Sequence, residues 1–139
     1  MKKIFLILII TSFTACIPSE NEEILYQYNV IIKNISNQNL NLIGYNENNE
    51  EMFQNLLVPF ASYEDCNYRS SKFIGLVCVD KLVFEFENSK GYICKRKIDT
   101  SLCFPDKNPF KGSYFNKINN NTYEFIVNQE DFVNALDIQ

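Results

Sequence analysis

The chain has 139 residues, 13 of them basic and 17 acidic, with no His and no Trp. That length fits one domain, and the acidic balance repels phosphate backbones, which sets nucleic acid aside as a partner. The missing His removes the usual general base near neutral pH, every Ser-His or Cys-His nucleophile pair and the commonest metal ligand.

The chain opens on Met1-Lys2-Lys3, then an unbroken apolar run from Ile4 to Ile10, then Thr11-Ser12-Phe13-Thr14-Ala15-Cys16. Seven apolar residues fall far short of the ~20 that a membrane-spanning helix needs. The layout is that of a removable signal peptide over residues 1–15. An ordinary cut before Cys16 would put bulky Phe13 at the −3 position, where a small residue is wanted. Phe13-Thr14-Ala15-Cys16 resembles a bacterial lipobox, with Phe where the strict motif has Leu. The resemblance implies that Cys16 becomes the first residue and carries lipid on its sulfur and amine. Several acyl chains, at ~0.8 kcal/mol per buried CH₂, hold a protein stably on a bilayer. The competing reading is a cleaved, soluble, secreted protein with Cys16 discarded or free. Without the leader, 11 basic and 17 acidic residues leave a charge of −6.

Residues 16–24 form an acidic tether. Ile17 stands where an inner-membrane retention signal would have Asp. Ser19-Glu20-Asn21-Glu22-Glu23 resembles the Ser-plus-acidic signal that sends flavobacterial-type lipoproteins to the outer membrane's outer face. It reads equally as a solvated linker that stays extended by self-repulsion.

Residues 25–139 read as one β domain. Tyr26, Tyr28, Val30 and Ile32 recur at period two, which makes a strand with one buried face. Ser36 to Asn39 turn the chain. Leu40, Leu42 and Gly44-Tyr45 give a second strand, and Asn46 to Asn49 a second turn, where Asn tolerates left-handed backbone. A third strand over 52–58 is stopped by Pro59, and a fourth is expected over 73–79. Residues 80–87 form the clearest strand, with Leu82, Phe84 and Phe86 inward and Lys81, Glu85 and Glu87 outward. Asn88-Ser89-Lys90-Gly91 signals a hairpin returning through 92–95. Residues 105–118 read as a loop with a short helix, and Thr122 to Val127 as the last strand. Asn128 can cap a closing helix, with Asp131 at its third position and Phe132, Val133 and Leu136 on one face. About seven short strands with turn residues between them predict an all-β, immunoglobulin-like β-sandwich with a short C-terminal helix.

Besides Cys16, four cysteines remain: Cys66, Cys78, Cys94 and Cys103. An even number in an exported chain implies disulfides. Of the three pairings, the sequential one closes two short loops; the sequence leaves the connectivity open. A zinc site would show C-x₂-C spacing or nearby His, and neither occurs, so no metal or cofactor is expected.

Paired carboxylates are the acid–base chemistry that remains. Glu85 and Glu87 on one strand face would stand roughly 7 Å apart, which overlaps the spacing of inverting glycosidases. Glu64-Asp65 is a second pair. No nucleophile–base pair can be assembled, and no catalytic residue is assigned. Asn46 to Glu51 is oxygen-rich but lacks the spacing of a Ca²⁺ loop. Lys95-Arg96-Lys97 reads as a solvated strand end. Tyr63, Tyr68, Tyr114 and Phe115 fall in loop-like segments, where exposed aromatics stack on sugars or anchor protein partners.

The leader, the early Tyr-rich strand ending in Asn34-Ile35-Ser36, the 81–94 hairpin and the closing strand and helix resemble small Bacteroidota-type outer-membrane lipoproteins of unassigned function. The resemblance implies a non-enzymatic, lipid-anchored envelope protein, on the periplasmic or cell-surface face, with structural or partner-binding use. The alternatives are a carbohydrate- or ligand-binding module and, third, a small carboxylate-based hydrolase.

Overall fold

The computed structural model describes residues 23–98 and 100–138. The leader, Cys16 and most of the tether lie outside them. The described residues form nine strands: β1 (Tyr26–Asn34), β2 (Leu40–Tyr45), β3 (Glu51–Leu57), β4 (Ser62–Ser70), β5 (Lys81–Glu85), β6 (Lys90–Lys95), β7 (Asn116–Asn119), β8 (Thr122–Val127) and β9 (Leu136–Asp137). One short helix, α1 (Gln129–Val133), precedes β9.

The strands make two sheets, ordered β4-β1-β8-β7 and β3-β2-β5-β6-β9. All pairings are antiparallel except that of β1 with β8. The chain is therefore an all-β, two-sheet fold with one short helix. Val30 and Ile32 of β1 and Phe125 and Val127 of β8 face Leu42, Leu82 and Phe84 of the other sheet, all fully buried. Phe104 joins the layers, stacked on Tyr92 at 3.9 Å and edge-on to Phe84 at 4.9 Å between ring centroids. Fully burying one such aliphatic or aromatic side chain stabilises by about 1.5–3 kcal/mol.

The end of β1 is tied by a polar knot. Asn34, wholly buried, donates through Nδ2 to the Gln38 and Leu57 carbonyls at 2.7 and 2.8 Å. Its Oδ1 accepts from the Ser36 amide and hydroxyl. Buried polar groups persist where their partners are complete, and this knot joins β1, the 36–39 turn and the end of β3.

Four expectations change. The strand expected over 73–79 is an irregular segment. Leu76 and Val79 are buried without forming a ladder, while Ile74 is exposed: Phe73 stacks on Tyr123 at 3.8 Å, and the Leu76 amide donates to the Pro109 carbonyl. Gly75 sits there at φ +106°, where a Cβ would meet the Phe110 backbone at 2.8 Å. Conversely, Ser62–Ser70, read as a loop, is β4. Its register against β1 shifts between Val30 and Ile32, which pair with Cys66 and Tyr63. That bulge turns consecutive Glu64 and Asp65 both outward, so the period-two signal is broken. β7 was likewise illegible, its four residues all exposed.

The closing helix has the expected capping box between Asn128 and Asp131. It lasts five residues, because the chain turns away after Val133 to pair β9 with β6. Phe132 packs edge-on to Phe86 at 5.3 Å, whereas Val133 is 69% exposed and Leu136 belongs to β9. The expected common face does not form.

Candidate functional site

The two disulfides join Cys66 to Cys78 and Cys94 to Cys103. The first pins the irregular 73–79 segment to β4. The second closes the excursion after β6 back onto that strand.

The four aromatics proposed for binding do not form one surface. Tyr63 is in β4, 7% exposed, and stacked on Phe53 at 4.4 Å. Burial first, and the Asp65 carboxylate second, raise its phenol. Tyr68, half-buried, accepts the Ile74 amide at 3.0 Å, and burial raises its phenol too. Phe115 is buried edge-on to Phe73 and beside Phe125. Tyr114 alone of the four is exposed, at the rim of a depression of about 380 Å³ beside Phe104 and Cys103. Tyr63 and Phe115 are core residues, and Tyr68 packs against the core half-buried, because the bulge of β4 and the fold of the 105–118 loop turn them inward.

The carboxylate pair is also rearranged. β5 ends at Glu85, and Glu87 lies in a 3₁₀ turn that carries Asn88 at φ +64°. The shared strand face assumed for Glu85 and Glu87 is therefore absent. Glu85 accepts from Asn41 Nδ2 at 3.0 Å, and Asn41 Oδ1 accepts from Gln54, a polar ladder across three strands. Among the described residues no three His, Cys, Asp or Glu side chains converge as a metal site would require.

The cleft with converging polar groups lies at the other end of the five-stranded sheet. A groove of about 470 Å³ is bounded by the 46–49 turn, the start of β5 and the end of β6. Asn46 builds the turn: its Oδ1 accepts the Asn48 and Glu50 amides, and its Nδ2 donates to Glu50. Lys81 stands directly opposite Tyr45 on one side and Lys95 on the other. Its Nζ lies 3.7 Å over the Tyr45 ring and donates to Asn49 Oδ1. Burial, then the Lys95 ammonium, lower the Lys81 amine below the usual lysine value.

Arg96 departs from the solvated strand end expected of Lys95-Arg96-Lys97. Its guanidinium donates to the Val77 and Val79 carbonyls, its Nε lies 3.8 Å from Asp80, and it sits over the Phe110 ring. It fastens the irregular segment to β6, a role invisible in a run of three cations.

A second polar centre lies under α1. Lys107 Nζ contacts Asp131 Oδ2 at 2.6 Å, with side chains 15% and 8% exposed. Tyr92 donates to the Asp131 carbonyl at 2.7 Å. Burial first, then the Asp131 and Asp106 carboxylates, push the Tyr92 phenol up to about 12. Below the ordinary value near 10 the phenol is protonated in both folded and unfolded chains; above it the unfolded chain loses the proton first. Stability is thus expected to hold up to about pH 10 and to fall between about 10 and 12, by up to roughly 2–3 kcal/mol. Urea unfolding across that range, with Tyr92→Phe for comparison, checks this; equal alkaline losses in both proteins would reassign the effect.

No protein-family profile matches the chain, and neither a curated protein nor a solved structure is detectably similar to it.

Proposed function

We propose that the protein is a non-enzymatic lipoprotein of a bacterial cell envelope, anchored to the outer membrane by lipid on Cys16. It presents a disulfide-stapled sandwich for structural use or for binding a partner. The observation that carries this reading is the cysteine arrangement. Of five cysteines, four are paired with one another within the domain, as suits an oxidising compartment. The fifth follows the Phe13-Thr14-Ala15 segment of a leader too short to span a bilayer. No helix of the described residues is long and apolar enough to cross a membrane. A tether over 16–24 would reach at most about 30 Å, holding the sandwich close to the surface.

The immunoglobulin-like reading belongs to architecture rather than strand order. Two facing, mostly antiparallel sheets support it. The hairpin of β2 with β3 in one sheet is a departure, since immunoglobulin topology sends its second and third strands to opposite sheets.

The test is acylation in producing cells. An alkyne-tagged palmitate is expected to label the wild-type chain and not Cys16→Ser. An unlabelled wild type, or equal labelling of the variant, overturns the anchor.

A further inference from the structure

We propose that the groove between the 46–49 turn and the paired ends of β5 and β6 binds a small oxyanion, a carboxylate, sulfate or phosphate group, held by Lys81 and Lys95. Lys81 and Lys95 are directly opposed residues of the β5–β6 ladder, so two cations share one face of the sheet, an arrangement that disfavours pairing when uncompensated. An anion between them turns this repulsion into two charge-assisted hydrogen bonds.

Lys81 is already positioned for the task. The Tyr45 ring beneath it and the Asn49 carboxamide beside it hold the side chain, so little rotamer freedom remains to be lost on binding. The groove's carboxylates face other cations. Glu47 lies 3.5 Å from Lys97, and Asp80 lies 3.8 Å from Arg96. Among the described lining residues, Lys97 is the lysine that pairs with a carboxylate, while Lys81 and Lys95 are cross-strand neighbours of like charge. The lowering of the Lys81 amine by burial and by Lys95 agrees with this imbalance. The volume, about 470 Å³, suits a small molecule carrying such a group.

Two-dimensional NMR of the native protein, titrated with sodium sulfate, phosphate or acetate against sodium chloride of equal ionic strength, tests the site. The expected result is saturable shifts confined to Tyr45, Asn49, Lys81 and Lys95. Lys95→Gln, at an exposed position that leaves the fold intact, should weaken binding about tenfold, the loss of one charge-assisted hydrogen bond. Lys111→Gln, outside the groove, should leave it unchanged. Absence of saturable shifts, shifts that chloride reproduces, or equal binding by Lys95→Gln would overturn the proposal. The site does not depend on the lipid anchor, so these outcomes are independent of Cys16.

Discussion

Removing both disulfides, by changing Cys66, Cys78, Cys94 and Cys103 to Ala, is expected to leave the chain largely unfolded at physiological temperature. The bridged residues are 12 and 9 positions apart. Closing loops of that length removes enough unfolded-state freedom to stabilise by roughly 3 kcal/mol each. The net stability of a domain is about 5–15 kcal/mol, so losing both takes much or all of it. The two bridges should also differ. Cys66 is buried but Cys78 exposed, whereas Cys94 and Cys103 are both buried, so the Cys94/Cys103 double variant adds the larger packing defect to the lost constraint. For either pair alone the melting temperature should fall by about 10 °C or more, and further for Cys94/Cys103. Calorimetry of the oxidised, reduced and substituted proteins measures this. A reduced protein that melts like the oxidised one would refute the stapling argument.

Changing Lys107 to Met is expected to be the most damaging single substitution at a polar position. Nζ of Lys107 contacts Asp131 at 2.6 Å, donates to the Ile126 carbonyl at 2.8 Å and lies 5.0 and 5.3 Å from the Phe104 and Phe125 ring centroids. Met keeps the stem and removes the charge, leaving a carboxylate buried without its cation. Breaking a buried pair in this way costs about 3–5 kcal/mol. Asp131 Oδ2 also accepts the Asn128 amide at 2.6 Å, so the helix cap weakens with it. The sign of a second substitution isolates the cause. Asp131→Asn should destabilise the wild type, yet restore roughly 1–2 kcal/mol in the Lys107→Met background, since it removes the orphaned charge and keeps a cap acceptor. Denaturant unfolding of the four proteins completes the cycle. Additive losses would mean that the pair is not what holds this corner.

Legibility followed the range of the signal. The strands at 26–34 and 40–45 and the hairpin that joins 81–85 to 90–95 could be read because alternation and turn chemistry act between neighbours in the chain. The Asn128–Asp131 capping box was readable for the same reason. β4 was missed because its bulge spends two residues, Glu64 and Asp65, where alternation allows one. Phe73 to Val79 misled in the opposite direction: apolar content reports burial, and here burial comes from Tyr123, Pro109 and a disulfide rather than from a ladder. In the candidate groove, Lys81 and Lys95 were visible as residues, but their opposition depends on the β5–β6 register.

Period-two alternation and the turn-forming Asn and Gly residues by themselves determined that the chain is built of strands, since each of these acts between near neighbours along the backbone. The sheet order, the parallel partnership of β1 with β8, the inward turn of Tyr63 and Phe115, and the partners of Arg96 and Lys107 were decided only by the tertiary structure. Each joins residues far apart in sequence, and which distant surfaces meet is set by packing both sheets at once, a constraint that no local pattern carries.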